Sequence, residues 1–177
     1  MLRDHLSDIP DYPMPTGFRM RPFAEGDRDT WVSVETQSEP YIDITNAIFD
    51  REFGFDLPAM PKRCWFLVSP DSRDVGTITC WYDRHYGQKR WGRIHWVAIV
   101  PEFRGRRLAK CMMTFAMNHL RSLGHRRAIL GTQPPRIPAI KTYLDFGFIP
   151  DMTADRAQRG WSMVRDKLSH PALDILE

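Results

Sequence analysis

The sequence predicts an α/β chain (an α+β mixed sheet with helices on both faces), in the order β-α-α-β-β-β-α-β-α-β-β. Three observations predict it. Short apolar runs rich in β-branched and aromatic residues follow one another between residues 64 and 100, as a strand meander does. After residue 100, two stretches with apolar residues at helical spacing alternate with further short strands. Between these halves, WVAIV (96–100) opens through Pro101 into a basic, glycine-containing turn and then an amphipathic helix.

Residues 1–16, with Pro10, Pro13 and Pro15 and little periodicity, read as an extended arm. GFRMRPF (17–23) alternates apolar and basic residues, which predicts a half-buried strand. Trp31 and Val34 then mark a first helix to about Ser38. Ile44, Ile48, Phe49 and Phe53 mark a second, ended near Gly54, and Leu57–Lys62 reads as loop around Pro58 and Pro61. CWFLV (64–68), DVGTITCWY (74–82) and 90–100 read as strands, the last two joined by a polar hairpin over 83–89.

A helix is expected from Arg104 to Leu123, with Leu108, Met112, Phe115, Leu120 and Leu123 on one face and Gly124 as its C′ residue. RRAILGT (126–132) reads as a strand. Ala139, Ile140, Tyr143 and Leu144 mark a helix over 138–146 closed by Gly147. Phe148–Ile149 begins another strand and GWSMVR (160–165) is the last strand candidate. The domain expected is 17–167, preceded by the arm and followed by a tail, 168–177.

Length and composition bound the function. A chain of 177 residues with 42% hydrophobic and 27% charged residues forms a proper core. MLRDHLSDIP carries charges where a signal peptide needs an apolar run, and no stretch has the length of a membrane helix, so a cytoplasmic protein with no membrane partner is expected. Cys64, Cys80 and Cys111 lie far apart without a CxxC, which points to buried inert thiols and to no metal site. The net charge of +3 is mild, but residues 103–127 hold seven Lys or Arg and no Asp or Glu. Such a stretch at a helix start suits a phosphate-bearing partner, because unpaired amides and the helix dipole attract anions there.

Two blocks resemble the Gcn5-related N-acetyltransferase (GNAT) superfamily. VAIVPEFRGRRLAK (97–110) is similar to its acetyl-CoA pyrophosphate loop, Arg/Gln-x-x-Gly-x-Gly/Ala, and AIKTYLDFGF (139–148) to its A-I-x-x-Y-x-x-x-G-F block. The resemblance covers roughly residues 17–165. It implies the GNAT-like acyl-CoA N-acyltransferase fold, acetyl-CoA as cosubstrate and direct transfer of acetyl to an amine, without metal. It implies that the main chain of Val97, Ala98 and Ile99 binds the pantetheine arm. It also implies that Arg104, Gly105, Arg106, Arg107, Leu108, Ala109 and Lys110 cradle the pyrophosphate. Arg107 stands at the family's central glycine; its amide can still donate, so binding is retained if that residue keeps a helical backbone. Arg136 stands where many relatives carry an Asn, and is a further cofactor-binding candidate. Tyr143 falls on the tyrosine that protonates the leaving thiolate. A homodimer is the family's habit.

The general base is not supplied by the motifs, since RIHWVAIV and LGT lack a carboxylate. His95 has a suitable reference pKa and, by strand alternation, shares a face with Val97 and Ile99. Glu35, Glu39, Tyr41 and Asp43 are unranked candidates for acceptor contacts, and Trp96 for the pocket wall. The alternatives are a non-catalytic acyl-CoA-binding or regulatory domain and, from another class, a nucleic-acid-binding module. No nucleic-acid signature supports the second.

Overall fold

The computed structural model describes residues 1–83, 86, 91–153 and 156–176, with Ile175 and Leu176 described by backbone alone. The strands are β1 (Leu2–Arg3), β2 (Arg19–Pro22), β3 (Cys64–Val68), β4 (Asp74–Asp83), β5 (Trp91–Ile99) and β6 (Ala128–Leu130). The α-helices are α1 (Arg28–Ser38), α2 (Asn46–Phe53), α3 (Met60–Arg63), α4 (Leu108–Ser122), α5 (Ile137–Asp145) and α6 (Ala157–Arg165). The strands form one mixed sheet in the order β1-β6-β5-β4-β3-β2. By packing, the chain divides into two compact units. One comprises Asp11–Trp81 and Ile94–Ala116; the other comprises Met1–Pro10, Tyr82–Arg93 and Met117–Glu177.

In the first unit, β2 and β3 pair antiparallel with Met20 opposite Leu67, and β3 pairs with β4 with Phe66 opposite Thr77. β4 is buried from Val75 to Trp81, and the predicted apolar run explains this. The predicted faces of α1 and α2 meet in an aromatic cluster. The Trp31 ring lies edge-on to Phe49 at 5.3 Å and to Phe53 at 5.5 Å, and all three rings are buried. Each such pair contributes about 0.5–1.5 kcal/mol beyond simple burial. Arg21 forks between Asp27 and Asp74 and lies 4.4 Å above the Phe66 ring, tying β2 to β4.

In the second unit, β1 pairs antiparallel with β6, Leu2 opposite Ile129 and Arg3 opposite Ala128. α5 ends as its sequence predicts. Gly147 takes φ +73°, its amide donates to Leu144 O, and the Phe148 amide donates to Tyr143 O. This pattern satisfies the last carbonyls of a helix through a left-handed glycine. Gly124 ends α4 the same way, with φ +85° and the His125 amide on Leu120 O.

Several expectations are corrected. The arm is not wholly without partners: Leu2–Arg3 is a paired strand, and Leu2 also bridges Ile149, which is the whole of the strand expected at 148–149. The segment 57–62 is a 3₁₀ turn, Gly54–Ala59, followed by α3, because Met60 is driven fully into the core. GWSMVR is not a strand but part of α6. Trp161 and Val164, three apart, are buried while Met163 is exposed, which is helical and not alternating spacing. The tail contains a 3₁₀ segment, Pro171–Leu176, that buries Leu173. The expected helix start at Arg104 moves to Leu108. Most of the hairpin expected at 83–89 lies outside the described residues. Among the described residues, no helix is long and apolar enough to cross a membrane.

Candidate active site

The loop between β5 and α4 is built in steps. Pro101–Phe103 makes one 3₁₀ turn, anchored by the buried Phe103 ring. Arg73 grips Glu102 through two bonds of 3.1 Å. Arg104 is extended, with φ −70° and ψ 164°. Gly105 then takes φ +77° and Arg107 takes φ +60°, and α4 begins at the buried Leu108. The helical conformation expected at Arg107 is therefore not what the loop adopts. Arg107 holds the left-handed conformation that glycine occupies without strain, because two left-handed residues are needed to turn the chain sharply into α4.

The consequence is a run of donors. Among the described residues, the amides of Gly105, Arg106, Arg107, Leu108 and Ala109 donate to no protein acceptor, whereas the Lys110 amide turns back to Arg107 O at 3.0 Å. Such clustered amides at the positive end of a helix bind an anion well. The flanking cations have distinct duties. Arg104 donates from Nε to Ile99 O at 2.9 Å and from Nη2 to Ser38 O at 2.8 Å, so its guanidinium staples the loop to β5 and α1. Arg106 lies 4.9 Å over the Phe103 ring, and Lys110 Nζ lies 5.0 Å from the Tyr12 ring centroid. The Arg107 side chain is exposed. On β5, Ala98 is buried while Val97 and Ile99 are half-buried, and Val100 donates its amide to Val75 O on β4 at 2.9 Å.

The second constellation surrounds His95. Its Nε2 lies 3.0 Å from Glu52 Oε2, and Trp96 Nε1 donates to that same oxygen at 3.4 Å. Arg51 donates to the other oxygen, Oε1, at 3.0 and 3.1 Å. These donors, His95 foremost, hold the Glu52 carboxyl down at about 2 against its ordinary 4.5. Adjacent strand residues normally face opposite sides. His95 and Trp96 reach one oxygen because Trp96 takes φ +47°, which breaks the alternation expected between His95 and Val97. Rings of Phe53 and Trp96 flank the imidazole at 6.0 and 5.7 Å.

Sequence reasoning missed Glu52. The signal was its spacing, four residues after Ile48 and three after Phe49 on the buried side of α2. Of the unranked acceptor candidates, Glu35 is buried on α1, Glu39 accepts the Tyr41 amide at 2.8 Å, and Tyr41 and Asp43 are exposed. Cys64, Cys80 and Cys111 are free and buried, and burial pushes the Cys64 thiol up to about 12, which fits inert thiols.

In the other unit, α5 carries Tyr143 on its buried face with Ile140 and Leu144, and the Tyr143 ring lies edge-on to Phe148 at 6.4 Å. Arg136 is half-buried at the N-cap of α5, where its carbonyl accepts the Ile140 amide at 3.0 Å.

Comparison with known proteins agrees with this architecture. The model of the acetyltransferase (GNAT) family matches residues 23–148. A mycothiol acetyltransferase of Pseudarthrobacter chlorophenolicus is 26% identical over 151 residues, covering 80% of this chain and 46% of the relative. The chain spans about half the length of the curated relatives that it matches first. Among solved structures, a GCN5-related N-acetyltransferase from Sphaerobacter thermophilus superposes with a TM-score of 0.64 at 20% identity, over 82% of this chain and 46% of that one. A chain of the NatC complex bound to Gag peptide and CoA superposes with a TM-score of 0.62 at 21% identity, over 76% of this chain and 86% of that one. At such identities the structures speak to the fold.

Proposed function

Because the chain belongs to the GNAT acetyltransferase family, we propose that it transfers an acetyl group from acetyl-CoA to a primary amine by direct attack. The observation that carries the reading is the run of amides from Gly105 to Ala109. They donate to no protein acceptor among the described residues and sit where the helix dipole of α4 begins. A pyrophosphate offers the acceptor oxygens that such a run lacks. No Asp or Glu occurs from 103 to 127 to repel it. The left-handed backbone of Arg107 supports the reading further, since it takes the conformation natural to the glycine of the family pattern. A nucleic-acid module is poorly supported, because the cations of 104–127 cluster at the start of α4 and near its far end rather than along one face, and no nucleic-acid signature appears.

In this reading, Val97–Ile99 offer main-chain groups to the pantetheine arm, and Arg106, Arg107 and Lys110 add positive charge near the phosphates. His95 takes a proton from the acceptor ammonium, directly or through one water. The freed amine lone pair then forms the new C–N bond as the thioester C–S bond breaks. Tyr143 gives its phenolic proton to the departing thiolate and is refilled through water, which takes up the second proton that the acetylated nitrogen sheds. The roles of Tyr143 and Arg136 are carried over from the sequence block alone. The mycothiol acetyltransferases among its relatives make the amine that such an enzyme acetylates one acceptor to include in the assay.

Calorimetry with acetyl-CoA at low salt tests the reading. One-to-one binding that weakens with added salt is expected, and absence of binding would overturn it. A thiol-release assay over a polyamine, an amino sugar, an amino acid and a peptide amino terminus then tests turnover.

A further inference from the structure

Glu52 belongs to neither motif block, yet α2 and β5 converge on it. Its two oxygens are divided between two tasks. Oε1 is held from outside by the Nε and Nη2 groups of Arg51. Oε2 faces inward to His95 and Trp96. A carboxylate at neutral pH only accepts hydrogen bonds, so the His95 nitrogen that meets it, Nε2, carries the hydrogen. The neutral imidazole is then the tautomer with its lone pair on Nδ1.

The surroundings make this arrangement costly to build and difficult to disturb. A tryptophan at positive φ is a strained residue, at about 1–2 kcal/mol. That strain at Trp96 is what allows neighbouring side chains of one strand to share one oxygen. Behind the pair stand Phe53 and Trp31, both buried, with the Trp31 ring 5.2 Å from Trp96. The side chains of His95 and Glu52 keep only 14% and 21% of their exposure, so their attraction is less screened than that of a surface pair.

From this geometry we propose that Glu52 is a positioning residue for His95, fixing Nδ1 as the atom that accepts the proton and balancing the imidazolium that results. The inference rests on His95 being the base in the proposed transfer. In the step, the N–H bond of the acceptor ammonium breaks and an Nδ1–H bond forms. Glu52 remains a carboxylate throughout and keeps its bond to Nε2–H. Trp96 donates to the same oxygen as His95 and Arg51 to the other, so that both oxygens of the carboxylate are held.

The first test needs no substrate. Long-range nitrogen-15 NMR of the wild-type imidazole in its neutral form, on the alkaline side of its titration, is expected to show Nε2 protonated and Nδ1 bare, and the opposite tautomer would overturn the proposal. The second uses thiol release from acetyl-CoA with whichever amine of the panel is turned over. Glu52→Gln is expected to lower kcat by about 10- to 100-fold, with KM for acetyl-CoA kept within about twofold. In a His95→Gln background the same change is expected to cost less than about twofold, because the group it positions is gone. A wild-type kcat in Glu52→Gln, or a full additional loss in the double variant, would overturn the proposal. If wild-type protein turns over no amine, the transfer reading fails, and the tautomer measurement still decides the placement of the proton.

Discussion

Replacing Arg107 by glycine is expected to stabilise the protein. Arg107 sits at φ +60°, exposed, and its side chain makes no hydrogen bond or ion pair among the described residues. Holding a side-chain-bearing residue in that region costs about 1–2 kcal/mol. Glycine removes this cost but adds freedom to the unfolded chain, which returns about 0.5–1 kcal/mol. The net gain is at most about 1.5 kcal/mol and centres on about 0.75 kcal/mol, or a rise of about 1–3 °C in Tm for a chain of this size. Arg107→Ala is the control: it removes the same charge and length but keeps the strain, so its stability should stay within about 0.5 kcal/mol of wild type. Thermal unfolding followed by circular dichroism measures both variants side by side. A glycine variant no more stable than the alanine variant would refute the reasoning, since the two differ in backbone freedom at that one position.

Other outcomes follow from the same geometry. Gly76→Ala should destabilise the protein by about 1–3 kcal/mol in denaturant titration, because the added Cβ would stand 2.7 Å from the Ala98 carbonyl oxygen; an unchanged midpoint would count against the close approach of β4 and β5 there. Glu52, held at about 2 when folded, contributes stability that is fully present above about pH 5 and lost as pH falls towards 2. After allowance for solvent screening this is about 1 kcal/mol, so the deficit of Glu52→Gln should shrink across that window; a deficit that grows on acidification would contradict it. Tyr143→Phe should lower turnover about a hundredfold while leaving acetyl-CoA affinity intact, and an unchanged rate would remove Tyr143 from the mechanism.

The parts of the fold that local chemistry decides were legible in the chain. Gly124 and Gly147 end their helices as C′ residues because no other residue type enters that conformation so cheaply. The apolar run that stops at Pro101 located the strand–helix junction. What long-range packing decides was not legible. A two-residue strand such as Leu2–Arg3 carries no period, and its partner Ile129 is remote in sequence. GWSMVR fits both periods over so few residues, and the burial of Trp161 with Val164 chose between them. The candidate site divides likewise. The loop between β5 and α4 is a local pattern, although the left-handed backbone of Arg107 depends on a turn that the residue type disfavours. The His95–Glu52 pair joins α2 to β5, and it needs a break in strand alternation at Trp96 that no periodicity announces.

Arg3 links order of synthesis to order of assembly. It is buried, and its guanidinium donates to the carbonyls of His5, Ser7, Asp8 and Phe146, while β1 pairs with β6 and bridges Ile149. At about 5–20 residues per second, the ribosome makes Leu2 on the order of ten seconds before Ile129. Through that interval β1 has no partner, and the Phe146 carbonyl that Arg3 will close has not been made. The strand is kept short, beside a charged residue and ahead of three prolines, which discourages pairing with another nascent chain. Closure of the sheet at this edge is therefore a late event in the protein's biogenesis, and the end of α5, just past Tyr143, is completed by a residue made more than a hundred positions earlier.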